Sequence, residues 1–426
     1  MKLLVFAHTP PPHHGQSYMV QLMLEGFGGD RRKARNRHNS SATPGSVEEL
    51  ECYHVNARLS HNLEDIGDLR VGKLFLLLWY CLEAIWCRFR YGLKNFYYIP
   101  APGKPSALYR DWLVMFLCRP FFDRVILHWH AAGLAKWLER VVRMRSRSLT
   151  YRFMKEVDLS IVLSKYNQAD AEKIFSRQIT VVSNGIPDPC PGFETEILPR
   201  RRAHFAARQK IALDLAAQGD DSEADLRTIK VLYLSHCTHE KGLFDTLAGV
   251  KIANKMLARR QSALVIQLMV AGTFVNAAEQ REWEELMKQP ELAQQTRWHG
   301  FVSGEEKNRL LREADLFCFP TYYQNENQPV NLIEAMAYGL PILTTRWRSI
   351  PELFPSGYLG LVDVRSPEQV AEALLKLATA EAGEEFRQIF LGTFTMEKHL
   401  AALRQAFLGL EAANAMAYPS GVPVSR

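Results

Sequence analysis

Short apolar runs separated by longer stretches of mixed polarity are the first regularity along the chain. In the front half they read KLLVFAH, FYYIPAP, RVILHWH, LSIVLS and ITVVSNG. Strands buried on both faces are near-continuously apolar, so this alternation predicts a parallel sheet with crossover helices. A second series begins with IKVLYLSHCTHEKGLFDTL, continues through ALVIQLMVAGT, TRWHGFV, DLFCFPTYY and LPILTT, and ends in helical sequence. Two successive doubly wound α/β units are the economical reading, with ligand in the cleft that the C-terminal strand ends face.

The pattern also suggests boundaries. Residues 1–187 form a first domain, in which 28–50, GGDRRKARNRHNSSATPGSVEEL, lack apolar period and read as a mobile loop. Residues 188–228 are punctuated by proline and then highly charged, and read as a linker region. Residues 229–385 form the second domain, and 386–426 a C-terminal helix packing back on the first domain, with a tail. SNG, carrying Asn184 and Gly185, reads as a structural turn at the crossing between domains.

A chain of 426 residues is too long for one ordinary core, which agrees with two domains. Its 47% apolar and 23% charged residues exclude both a membrane bundle and a disordered chain. The seven cysteines are odd in number, without a CxxC pair or zinc spacing, and fit a reducing cytoplasm. The opening MKLLVFAHTPPPHHG has too short an apolar run for a signal peptide and predicts a buried first strand. LFLLLWYCLEAIWC, residues 74–87, contains Glu83 and is too short to span a bilayer. Residues 1–186 hold 26 Lys and Arg against 16 Asp and Glu, while the remainder holds 26 against 30. The front half is therefore the basic one and favours anionic partners: nucleic acid, a phospholipid surface or phosphorylated small molecules.

Candidate chemistry concentrates in NENQPVNLIEAMAYGLPIL, residues 325–343. Glu326 and Glu334 would be separated by about 12 Å on one continuous helix, too far to share a proton. Pro329 disfavours one continuous helix and suits a first turn, so a helix is expected to begin there, with Asn327 or Gln328 as cap. Two carboxylates would then bracket a helix N-terminus, whose free N–H groups and dipole suit phosphate while the carboxylates suit sugar hydroxyls. An isolated pair at this spacing is more often a solvated charge and an ordinary helix residue.

The stretches VVSNGIPDP, VLYLSHCTHEKGLFDTL, LMVAGTF, WHGFVSGEE, ADLFCFPTYYQNENQPVNLIEAMAYGLPILTT and IPEL, in this order, resemble the C-terminal nucleotide-sugar domain of retaining family 4 glycosyltransferases. The resemblance implies a GT-B fold, two Rossmann-like domains facing across a cleft. It implies that Glu326 approaches the donor sugar and that Glu334 holds the ribose hydroxyls. The N–H groups of Asn327, Gln328 and Val330 would face the diphosphate, and Lys241 would carry charge onto the leaving group. His236 stands near the place of a second cation that the family usually supplies as arginine. In the front half the likeness is looser: Gly15, in PPHHGQS, matches a glycine loop near the donor phosphate, and His130, in HWHAAG, matches a histidine near the reacting sugar. His128 reads better as a packed strand histidine.

The function expected from this set is retaining transfer of a sugar from a nucleotide-diphosphate sugar to a glycan or lipid-linked acceptor, in cell-surface polysaccharide or glycolipid synthesis. No cofactor and no metal are expected, because His13 and His14 point in different directions and lack a third ligand. Nucleic acid is not an expected partner. Arg140, Arg143 and Arg147, at helical spacing, together with the apolar stretch 74–87, admit two readings: a solvated face over a packed core helix, or peripheral attachment of a cytoplasmic enzyme to an anionic inner membrane leaflet. A nucleotide-sugar epimerase and a non-catalytic two-lobed binding protein are the alternatives. A glycoside hydrolase would have no use for a phosphate-facing helix end.

Overall fold

The computed structural model describes residues 1–11, 15–34, 50–59, 71–213, 224–378 and 383–417. They form two compact units, one of Met1–Gly185 with Met396–Arg426 and one of Ile186–Thr395.

The first unit is built on a six-stranded sheet in the order β2-β1-β3-β4-β5-β6, every neighbouring pair parallel. Its strands are β1 Lys2–Ala7, β2 Glu51–Asn56, β3 Asn95–Tyr98, β4 Arg124–Trp129, β5 Leu159–Val162 and β6 Ile179–Val181. Successive side chains point to opposite faces, so β1 serves two cores at once. Leu4 and Phe6 join Phe96, Tyr98, Leu127 and Trp129 beneath the helices Val71–Tyr91, Pro105–Cys118 and Met144–Met154. Leu3 and Val5 join Tyr97, Ile126 and Ile161 on the other face, covered by the helices Gly15–Gly26 and Met396–Ala417 through Val20, Met23, Leu403 and Phe407.

Several expectations are corrected here. β2, ECYHVN, is a fully paired strand that the apolar-run pattern does not show, because His54 and Asn56 interrupt it. Of the segment read as a mobile loop, residues 35–49 lie outside the described residues, and the ends are packed. Gly28 and Gly29 turn the chain at positive φ, Arg31–Ala34 is helical and Leu50 is buried. Asp30 fixes this turn by accepting hydrogen bonds from the backbone N–H groups of Arg32 and His54. The three arginines at helical spacing do not share a helix. Leu134–Arg140 stops at its C-cap Val141, Arg143 is extended at φ −58 and ψ 146, and Arg147 lies in the next helix, Met144–Met154. SNG is irregular rather than a turn, and the Ser183 carbonyl accepts a hydrogen bond from Nδ1 of His399.

The second unit repeats the architecture in the order β12-β11-β10-β7-β8-β9, again all parallel. Its strands are β7 Thr228–Leu234, β8 Val265–Ala271, β9 Thr296–Trp298, β10 Leu316–Phe319, β11 Ile342–Thr345 and β12 Leu361–Val362. Residues 188–228, expected to be a linker, belong to this unit. Among them Arg208, on the helix Leu198–Leu213, donates to the carbonyls of Leu226 and Thr228 and to the Asp315 carboxylate. Asp188 pairs both its oxygens with Arg387, so residues from 386 to 395 close this unit instead of joining the C-terminal helix.

Candidate active site at the ends of β7 and β10

In the second sheet the chain leaves β7 toward β8 on one side and leaves β10 toward β11 on the other. The loops following two adjacent strands therefore diverge, which opens a crevice at their C-terminal ends. Residues 235–242 follow β7 and residues 320–329 follow β10, and these loops carry most of the residues singled out by sequence.

Glycines set the loop geometry. Gly242 precedes the helix Leu243–Arg259 at φ +82, and a Cβ there would lie 2.4 Å from the Pro320 carbonyl oxygen. Gly272, just past β8, has φ +153 and would meet the Ser235 carbonyl at 1.8 Å. Neither close approach tolerates a side chain. The β10 loop is bonded to its neighbours: Tyr322 N–H and Thr321 Oγ1–H donate to the Glu240 carbonyl, and Trp347 Nε1–H donates to the Tyr323 carbonyl.

This framework brings Lys241 Nζ to 2.7 Å from Glu326 Oε2, over the Tyr323 ring at 4.3 Å, and the Thr321 Oγ1–H is shared between that carboxylate oxygen and the Glu240 carbonyl, each at 3.2 Å. Glu326 is 9% exposed, so the pair is held largely away from water. Asn327 and Gln328 are buried behind it, and Ser349 donates to Oδ1 of Asn327. The helix spans Val330–Ala337, and its N-cap is Pro329 where Asn327 or Gln328 was expected. Proline before the first turn fixes the entry by its own φ. Glu334 lies one turn inside this helix and pairs with Lys307, from the helix Gly304–Glu313. Asn331, in the first turn, ties the helix to β7 by donating from Nδ2 to the Leu234 carbonyl.

Lys307, Thr321, Tyr323 and Asn331 were not found by sequence reasoning. Lys307 sits in GEEKNRL, which reads as an ordinary exposed helix, and only the fold brings it to Glu334. Burial, and then the nearby charge of Lys241, push the imidazole of His236 below its usual pKa, so it stands beside the lysine as a neutral group at pH 7.

Gly15 and His130 belong to the first unit. Gly15 opens the helix after β1, and His130 follows β4 directly. His128 is buried, shares a 2.6 Å hydrogen bond with the Tyr97 hydroxyl, and is pushed well below its ordinary pKa by burial and by His130 and His399. His13 and His14 lie outside the described residues. Among the described residues no group of three His, Cys, Asp or Glu side chains is gathered as a metal site.

Residues 218–390 match the model of the family glycosyl transferases group 1. The chain is 28% identical over 348 residues to the amylovoran biosynthesis glycosyltransferase AmsK of Erwinia amylovora, covering 78% of this chain and 80% of that protein. It is 29% identical over 150 residues, 34% of each chain, to the putative colanic acid biosynthesis glycosyltransferase WcaL of Salmonella typhimurium. Among solved structures, Anabaena HepE in complex with UDP and glucose superposes with a TM-score of 0.60 at 14% identity, over 96% of this chain and 100% of that one. Sucrose-phosphate synthase from Thermosynechococcus elongatus gives 0.62 at 17% identity, over 97% and 100%. The fold is thus that of the GT-B glycosyltransferases, two Rossmann-like domains, and the second unit carries the segment similar to glycosyl transferases group 1.

Proposed function

We propose that the protein is a retaining glycosyltransferase of family 4 that moves a sugar from a nucleoside-diphosphate sugar to a glycan or lipid-linked acceptor, at the cytoplasmic side, in cell-surface polysaccharide or glycolipid synthesis. The observation that carries the reading is the Lys241–Glu326 pair beside the N-terminus of the Val330–Ala337 helix, at the switch point of the second sheet. The names of AmsK and WcaL support the polysaccharide setting, and the UDP complex of HepE supports a nucleotide donor.

In the reaction the bond from the anomeric carbon to the diphosphate oxygen breaks, and one from the same carbon to an acceptor oxygen forms on the same face. The departing phosphate oxygen takes the acceptor's proton. Lys241 stabilises charge growing on that oxygen, and Glu326, freed from Lys241 when the diphosphate takes its place, accepts from donor-sugar hydroxyls. Glu334 accepts from the ribose hydroxyls in place of Lys307. Asn327, Gln328 and Val330 offer backbone N–H groups to the diphosphate, His236 contacts it as a neutral partner, and Gly15 and His130 keep the donor-phosphate and sugar roles that the resemblance implies. Lysine and helix N–H groups supply the positive charge, so activity is expected to persist in chelator.

A thermal-shift panel of nucleotide sugars tests the donor, since ligand at a hundred times its dissociation constant adds about 2.7 kcal/mol of stability. Glu334→Gln is expected to weaken that shift, whereas Glu326→Gln keeps it and lowers turnover, because a sugar contact tightens in the transition state. Donor affinity and turnover unchanged in both variants would overturn the assignment, and the anomeric configuration of the product, read by NMR, decides retention.

A further inference from the structure

The helix Val71–Tyr91 turns two unlike faces outward and inward. Leu77, Cys81, Ala84 and Cys87 are buried against the first sheet. On the opposite side Phe75, Trp79, Leu82, Trp86 and Phe89 are 68, 65, 61, 55 and 69% exposed. Their spacing of four and three residues sets them in one stripe along the helix. The stripe continues onto neighbouring elements, where Phe89 meets Phe121 at 6.0 Å between ring centroids and Phe116, itself 61% exposed, meets Phe153 at 5.9 Å.

Charge decides what covers this face. On Val71–Tyr91 the acidic residue is Glu83, held by Arg32 at 2.6 Å. On Pro105–Cys118 it is Asp111, buried and paired with Arg110. Residues 140–154, spanning the third helix of this layer, contain five arginines, Arg140, Arg143, Arg145, Arg147 and Arg152, and no Asp or Glu. Arg90 beside the stripe is exposed, as is Lys94 just beyond it, and Asp123 is the carboxylate that faces Arg88 and Lys94. A second copy or a partner helix on a 3-4 seam is matched by flanking charges of both signs. Here the free charge is basic and the apolar stripe is aromatic, with two tryptophans.

We propose that this outer layer docks on an anionic phospholipid surface, with the stripe Phe75, Trp79, Leu82, Trp86 and Phe89 entering the interface and the surrounding arginines facing lipid phosphates. Apolar insertion and a basic rim together supply the two signals that stable peripheral attachment needs. The docking element is therefore the aromatic face of one helix, with the Arg140, Arg143 and Arg147 region contributing charge. No residue of the Lys241–Glu326 site takes part, so vesicle binding and sugar transfer succeed or fail separately.

The full chain is sedimented with vesicles of phosphatidylcholine alone and with vesicles in which about one-third of the lipid is phosphatidylglycerol. Expected are pelleting with the anionic vesicles, a decrease with added salt, and a loss of about tenfold or more in partitioning for Trp79→Glu/Trp86→Glu. Circular dichroism melting establishes that the variant is folded, and quenching of wild-type tryptophan fluorescence by brominated lipid reads insertion without any substitution. Wild-type protein that stays in the supernatant with anionic vesicles at low salt, or that pellets without bromolipid quenching, overturns the proposal. So does a wild-type dimer that the double variant converts to monomer, which would assign the face to a second copy.

Discussion

Gly242 shows how much of the site rests on one residue's backbone. The sequence presents it as the glycine of HEKG, next to a lysine that draws attention by its charge, yet the glycine determines where that lysine stands. Its φ of +82 and the Pro320 carbonyl 2.4 Å from a Cβ position leave a side chain neither conformation nor space. Gly242→Ala is expected to destabilise the second unit by about 1–3 kcal/mol or more, measured as a shift in urea midpoint, and to lower donor affinity by moving Lys241. An unchanged midpoint would show that the loop relaxes freely. At this scale the charged residues of the site were legible and their partners were not. Glu326 and Glu334 stand in a spacing that a helix start explains, and Lys241 was singled out by the resemblance of HEKG. The pairing of Glu334 with Lys307 joins residues from two helices, and no local pattern encodes it.

Among elements, the helix Val330–Ala337 was the most legible, because Pro329 marks its start and the apolar run after it forces burial. What the sequence left open was its tether. Asn331 reads as a poor helix former, while in the fold its Nδ2–H satisfies the last carbonyl of β7 and fixes the helix end against that strand. Asn331→Ala should cost about 1 kcal/mol in stability and raise the donor KM more than it lowers kcat, since the helix end keeps its N–H groups but loses their alignment. Equal kinetics in the variant would mean that the tether is only structural. Strands with continuous apolar runs were likewise readable, whereas β2 was not, since His54 and Asn56 break its run and are accommodated by the fold. Nε2–H of His54 donates to the Ala7 carbonyl.

Over the whole molecule, length and the two series of apolar runs indicated two domains, and contacts between distant segments decided their limits. The first unit stores several histidines in neutral form: burial pushes His54, His128 and His399 below the ordinary value of 6.5. Unfolding restores that ordinary value, so below about pH 6.5 the unfolded chain takes up protons that the folded one refuses, and stability falls with pH. The melting temperature is expected to drop between about pH 7.5 and pH 5.5, before carboxylates titrate, and a flat profile there would contradict the burial of these rings. The helix Met396–Ala417 belongs to this same unit although the chain has by then passed through the whole second unit. During synthesis the N-terminal sheet consequently emerges with Leu3, Val5 and Tyr97 lacking the cover of Leu403 and Phe407. Of these two domains the one begun first is thus completed second, and it waits for the helix Met396–Ala417 to leave the ribosome while its partner unit is already able to close.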